Sequence, residues 1–181
     1  MGNLGCTVVH MEKLEIYTDG GCSAKNKVAG WAYAVWDSLG NKIVSESGVL
    51  EEITNNQCEL YAVLEALHYV HSTWELGKVQ VTIVSDSEYV VNGCTTWLGE
   101  WKRKNWKTVK GQVKNKPIWE AMDELMRGLD VKFVWTRGHS ANKKNNLVDK
   151  LAVGAYTEFL KKRKAKLTEQ TTGDTVVELK S

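Results

Sequence analysis

The alternation of apolar and polar residues changes period midway along the chain. Leu14 to Thr18 reads as a short strand ending in Asp19-Gly20-Gly21. Gly30 to Trp36, dense in aromatic and apolar residues, is a second strand, and Lys42 to Leu50 a third, with Asp37 to Asn41 as the turn between them. Three strands with short links predict an antiparallel meander, with polar residues 20–29 expected as a mobile loop. Leu60, Val63, Leu64, Leu67 and Val70 then recur at helical spacing behind the capping-type run Thr54-Asn55-Asn56. Val79 to Val84 is a β-branched run that ends in Ser85-Asp86-Ser87, a helix-start signature. Ile118 to Met126 predicts a further helix, Val131 to Trp135 a last strand, and Asn145 to Leu160 a last helix. Strand–helix–strand alternation in this half calls for parallel pairing through helical crossovers. The expected class is α/β, a mixed sheet of about five strands with helices on its faces. From Lys161 onward the chain turns polar, and residues 161–181 are expected to form a flexible tail.

Composition narrows the class. A chain of 181 residues with 43% hydrophobic and 25% charged content suits one globular domain. No stretch approaches the roughly 20 apolar residues of a membrane helix, and no secretory signal stands at the N-terminus. Cys6 occupies the position where a myristoylation signal would carry Ser or Thr. Cys6, Cys22, Cys58 and Cys94 form no CxxC pair, which argues against a zinc knuckle and for reduced, packed thiols in a cytoplasmic protein.

Charge adds a direction. The net charge is only +2, but Trp101 to Trp119 holds seven basic residues and no acid, leaving 17 basic against 22 acidic residues elsewhere. A cationic segment on a mildly acidic body is the footprint of a polyanion binder. Trp97, Trp101, Trp106 and Trp119, four of the eight tryptophans, lie in or beside that run. One reading is a solvated face with tryptophans docked on the core. The other is a nucleic-acid groove in which Lys102, Arg103, Lys104 and their neighbours neutralise phosphates while aromatic faces pack on sugar or base. Nineteen residues without an acid favour the second.

Four acids stand at element ends, and each has an ordinary structural explanation. Asp19 begins an Asp-Gly turn, and Glu59 falls where a capping-box glutamate would sit. Asp86 could be a helix N-cap, and Asp149 suits the first turn of the last helix. Together they suggest more. Two end strands and two sit near helix starts, so all four could converge at the carboxyl edge of the sheet, where open α/β folds bind ligands. Four crowded carboxylates repel unless cations occupy the cluster or some members stay protonated. Mg²⁺ suits carboxylate, phosphate and water oxygens, and a pair of ions suits phosphodiester hydrolysis.

The segments Tyr17-Thr18-Asp19-Gly20, Thr54-Asn55-Asn56-Gln57-Cys58-Glu59-Leu60, Ser85-Asp86-Ser87-Glu88-Tyr89-Val90 and Gly138-His139-Ser140, with Asn145 through Asp149 leading into Leu151-Ala152, resemble the type 1 ribonuclease H family in order and spacing. The resemblance runs from about Glu12 to about Leu160. It implies a catalytic domain over 12–160, a ribonuclease H-like fold with the first three of five strands antiparallel, and an activity that cuts the RNA strand of RNA–DNA hybrids. It implies that Asp19, Glu59, Asp86 and Asp149 bind two Mg²⁺ ions, with Mn²⁺ a possible substitute, and that products carry 5′-phosphate and 3′-hydroxyl ends. His139 matches a histidine that assists proton transfer or product departure, and Asn145 a residue near the metals. Residues 97–119 resemble a basic handle gripping the DNA strand, with Trp97 and Trp119 matching tryptophans of its channel. Cys22, Lys25, Asn55, Asn56 and Ser87 match substrate-contacting positions, and Thr54 one that holds a DNA phosphate.

The match has departures. Ser23 to Val28 replaces an Asn-Pro-Gly-rich loop, Lys25 replaces an asparagine, and Glu88 stands where a glutamine often contacts RNA. Residues 1–11 have no counterpart and read as an added or disordered extension. The protein is expected to act as a monomer without an obligate protein partner. A ribonuclease-H-like DNA nuclease and a non-catalytic hybrid-binding module are the competing readings. The Thr54–Leu60 and Gly138–Asp149 motifs weigh against the first, and the presence of all four acids weighs against the second.

Overall fold

The computed structural model describes residues 11–23 and 25–177, with side chains as far as Glu169. The expected extension therefore lies outside the described residues, save Met11. Five strands build one sheet in the order β3-β2-β1-β4-β7: β1 (Glu12–Ser23), β2 (Val28–Trp36), β3 (Lys42–Glu51), β4 (Val79–Ser85) and β7 (Asp130–Trp135). The first three pair antiparallel, and β4 joins β1 and β7 in parallel. This is the expected mixed sheet.

Period-two alternation sorts the strand side chains onto two faces. Leu14 and Ile16 of β1, Tyr33 and Val35 of β2, and Val81 and Ile83 of β4 point into one core with α1 (Asn55–Thr73) and α4 (Lys116–Met126). Tyr17, Ala32, Ala34, Trp36 and Val84 point the other way, onto Val148 and Ala152 of α5 (Lys143–Val177). Both faces are covered, so the central strands are almost wholly buried.

The predicted loop over 20–29 is instead mostly strand. β1 continues through Ser23 and pairs as far as Ser23 opposite Val28, closing a tight hairpin. Gly20 permits this, because a Cβ there would lie 2.5 Å from the backbone nitrogen of Glu59, so only glycine lets β1 run against the start of α1. Helix α1 is opened by Thr54, whose hydroxyl accepts from the Gln57 backbone N–H at 3.3 Å while Gln57 Oε1 accepts from the Thr54 N–H at 2.8 Å. The capping box is thus Thr54 with Gln57, and Glu59 has no part in it.

The last helix is longer than expected at both ends. It starts at Lys143, so Asp149 lies in its second turn rather than its first, too deep for the macrodipole explanation to hold. It passes Leu160 and runs to Val177, where a flexible tail was expected. Residues 161–169 carry no proline and no glycine and are mostly good helix formers. Arg163 also pins the helix to Glu51 at the end of β3, at 2.9 Å.

Candidate active site

Register brings the acids together. Thr18 pairs with Ser85 across the parallel β1–β4 ladder, so Asp19, inside β1, and Asp86, just past the end of β4, follow side by side. The Gly20 contact seats the first turns of α1 beside them, which delivers Glu59. Oxygens of Asp19, Glu59 and Asp86 all lie within 4.8 Å of one another. Asp149 approaches Asp19 from α5, and its charge adds to the crowding there. The ordinary explanations for Asp86 and Glu59 fall away as well, since the N-cap of α2 (Glu88–Asn92) is Ser87.

The cluster is electrostatically crowded. Asp19 and Glu59 are each 6% exposed. Burial, reinforced by Asp86 and Asp149, raises the Asp19 carboxyl from its ordinary value to about 7. Burial, then the charges of Asp19 and Asp86, raises Glu59 well above the carboxylate range. Glu59 Oε2 and Asn145 Oδ1 are buried without a hydrogen-bond partner. Polar atoms are seldom left so. A hard divalent cation fits this site: it would neutralise the crowding and take up the orphaned oxygens.

The surroundings orient the acids. Asn145 is 1% exposed and donates from Nδ2 to Asp86 Oδ2 at 3.0 Å. Trp135 Nε1 donates to the Asp86 main-chain carbonyl at 3.0 Å, and a Cβ on Gly138 would lie 2.7 Å from Asp86 Oδ2. His139 stands on the exposed loop beside them, its backbone at φ 48°, with Nδ1 3.9 Å from Asp149 Oδ2. Lys144, at the start of α5, is ion-paired with Glu15 and lies over the Trp36 ring at 4.9 Å, fixing the helix that carries Asn145 and Asp149. Sequence reasoning missed Trp135 and Lys144, because a strand-end indole and a helix-start lysine carry no spacing signal.

The expected substrate residues divide. Cys22 is half-buried late in β1 and Lys25 is exposed in the hairpin turn. Asn55 and Asn56 are exposed in the first turn of α1, whose free N–H groups favour an anion. Thr54 and Ser87 serve as caps at that edge. The basic segment folds as α3 (Leu98–Arg103), after a π-helical turn over Gly93–Trp97, and a small hairpin of β5 (Lys107–Thr108) and β6 (Gly111–Gln112). Lys102 is paired with Asp123 at 2.8 Å and Lys104 with Glu100 at 2.6 Å, while Arg103 Nε donates to the Gly99 carbonyl.

One expectation is corrected here. Trp119 is fully buried and cannot line a channel. Its indole N–H donates to Tyr89 Oη at 3.2 Å, and its ring packs edge-on against Trp101 at 5.3 Å, so it holds the segment in place from below. Trp97, only half-buried and tilted at 45° against Trp101 at 5.8 Å, remains partly open to solvent.

Comparison with known proteins follows the same lines. Residues 11–157 match the RNase H family. The chain is 38% identical over 150 residues to the ribonuclease H of Hydrogenovibrio crunogenus, covering 82% of this chain and 99% of that protein. It is 40% identical over 153 residues to the ribonuclease H of Clostridium botulinum, covering 82% and 99%. Among solved structures it is similar to LC9-RNase H1, a type 1 RNase H with the type 2 active-site motif, at a TM-score of 0.71 and 25% identity, covering 80% of this chain and 72% of that one. LC11-RNase H1, solved in complex with RNA/DNA hybrid, shares the fold at a TM-score of 0.63 and 23% identity, covering 81% and 99%.

Proposed function

The chain belongs to the RNase H family, and from that premise we propose that it is an endonuclease hydrolysing the RNA strand of RNA–DNA hybrids, leaving 5′-phosphate and 3′-hydroxyl ends. The observation that carries the reading is the meeting of Asp19, Glu59 and Asp86, with oxygens within 4.8 Å of one another, and of Asp149 beside Asp19. The structural relative solved with RNA/DNA hybrid supports the substrate.

Asp19, Glu59, Asp86 and Asp149 would hold two Mg²⁺ ions, for which Mn²⁺ can substitute. When bound, such ions supply an activated water and stabilise the leaving 3′-oxygen. The chain's own residues do the rest. Asn145, through its bond to Asp86, holds that carboxylate facing its partners and keeps Oδ1 directed into the site. Gly138 leaves Asp86 room, and Trp135 fixes its backbone. His139 stands where a proton can pass to the leaving oxygen, from a loop that need not move the carboxylates. Cys22, Lys25, Asn55, Asn56 and Ser87 meet the RNA strand near the site, and Thr54 a phosphate of the DNA strand. Trp97, Lys102, Arg103 and Lys104 meet the DNA strand at a distance.

The same reading makes the protein a monomer of the cytoplasm without an obligate protein partner. That reducing compartment suits Cys22, Cys58 and Cys94, which are free. No helix among the described residues is long and apolar enough to cross a membrane.

The test is cleavage of an RNA–DNA hybrid, with duplex RNA, duplex DNA and single-stranded RNA as controls, in Mg²⁺ and in EDTA. Metal-dependent cutting confined to the RNA strand of the hybrid is the expected result. Hybrid binding without cutting would make the protein a binding module, and cutting of duplex DNA would make it a DNA nuclease.

A further inference from the structure

The extended part of α5 carries Lys161, Lys162, Arg163, Lys164 and Lys166 within six residues, a higher density than any six residues of the handle. Leu160, Arg163, Lys164 and Leu167 share one helix face by their i, i+3, i+4, i+7 spacing. With Asn26 of the β1–β2 turn they line an open groove of 450 Å³. The acids at the end of β3 and just after it are engaged elsewhere: Glu51 by Arg163 at 2.9 Å, and Glu52 by Lys27 at 3.1 Å. Lys25, Lys161 and Lys164 have no ion pair with a described acid, and all three are exposed. Arg163 and Lys164 line the groove with two leucines, while Lys25 and Lys161 each adjoin a lining residue in sequence, a combination that takes a sugar against carbon and a phosphate against a cation.

Its position is set by two rulers. From Asp149 to Lys164 is fifteen residues of helix, roughly 22 Å at ~1.5 Å each. From Asp19 to Ser23, at the foot of the turn, β1 advances roughly 13 Å, and the turn lies beyond. The path between runs past Cys22 and Lys25, the side on which the RNA strand is placed above. A groove about 20 Å from the carboxylates is about six base steps along a strand at ~3.4 Å each.

We infer that the β1–β2 turn and the α5 extension, with Lys161 and Lys164 as the principal cations, form a second phosphate-binding surface for the hybrid, flanking the scissile phosphate on one side and separate from the basic handle. This rests on the hybrid-nuclease reading. It makes the footprint asymmetric, with one flank of the cleavage position held by α5.

The experiment uses the full chain and two hybrids of about 20 base pairs, each with a single cleavable ribonucleotide stretch placed near one end or near the other. Lys161→Gln/Lys164→Gln is compared with the parent protein, and thermal melting confirms an unchanged fold. The KM for one hybrid should rise about five-fold and its dependence on log salt should fall by about one to two, while KM for the other hybrid moves less than two-fold. Equal loss on both hybrids would reduce the effect to general charge, and no loss on either would remove α5 from the interface. Either result overturns the inference. Failure of the parent protein to cut any hybrid would instead overturn the functional reading beneath it.

Discussion

Asp19 is the residue on which most of the site's energetics turn. Burial and its acidic neighbours raise it to about 7, so the folded metal-free protein holds a proton that the unfolded chain releases near pH 3.8. Between those values the folded state binds more protons, and stability therefore falls as pH rises from about 4 to about 7. Glu59, raised in the same direction, adds to the loss. Urea unfolding in EDTA should show the wild type weaker at pH 8 than at pH 5, with Asp19→Asn more stable than wild type at pH 8 by on the order of 2 kcal/mol. The same substitution should abolish cleavage while leaving hybrid binding in place. A wild-type stability that rises across that window would show that the acids are not crowded. Gly138 permits a second test at this scale. In Gly138→Ala the new Cβ would press on the Asp86 side chain, nearest its Oδ2 at 2.7 Å. The expected outcome is a fall in kcat of about 10- to 100-fold with a stability change under about 1 kcal/mol, read by single-turnover kinetics beside thermal melts.

At the scale of elements, the strands and α1 were legible because their alternation is read directly from burial. Leu14 and Ile16 face one core and Tyr17 the other, and Leu60 to Val70 follow one helix face. What escaped was set by partners distant in sequence. The hairpin over 20–29 depends on Gly20 lying against the backbone of Glu59. Helix α5 continues past Leu160 because its exposed residues propagate helix well and Arg163 finds Glu51. Trp119 reads as a surface aromatic beside lysines, but Tyr89 and the π-helical turn close over it. That turn brings a prediction. Gly93 approaches Trp119 so closely that a Cβ would lie 2.0 Å from the ring. Gly93→Ala should destabilise by about 1–3 kcal/mol through overpacking and should raise KM for hybrid more than it lowers kcat, since the handle shifts and the carboxylates do not. Equal effects on both constants would mean that the handle and the site are mechanically joined.

For the whole molecule, the question is how charge is distributed over the basic segment proposed to meet the hybrid. Sequence counts seven cations in the handle, but the fold does not leave them equal. Lys102, Lys104 and Lys116 each face an acid, Asp123, Glu100 and Glu120 respectively. Lys107, Lys110 and Lys114 lie on or beside the small hairpin, exposed, with no ion pair to a described acid. A lysine already paired gains less from a phosphate, because its acid must be left behind or screened. Replacing Lys107, Lys110 and Lys114 with Ala should therefore lower the slope of log KM against log salt by about two. Replacing Lys102, Arg103 and Lys104 should lower it by about one, although the sequence alone puts this second triplet forward. Both slopes come from steady-state cleavage between about 50 and 200 mM salt. If the paired triplet proves the stronger, the hybrid must strip Asp123 and Glu100 from their lysines, and the free ends of the small hairpin point away from it.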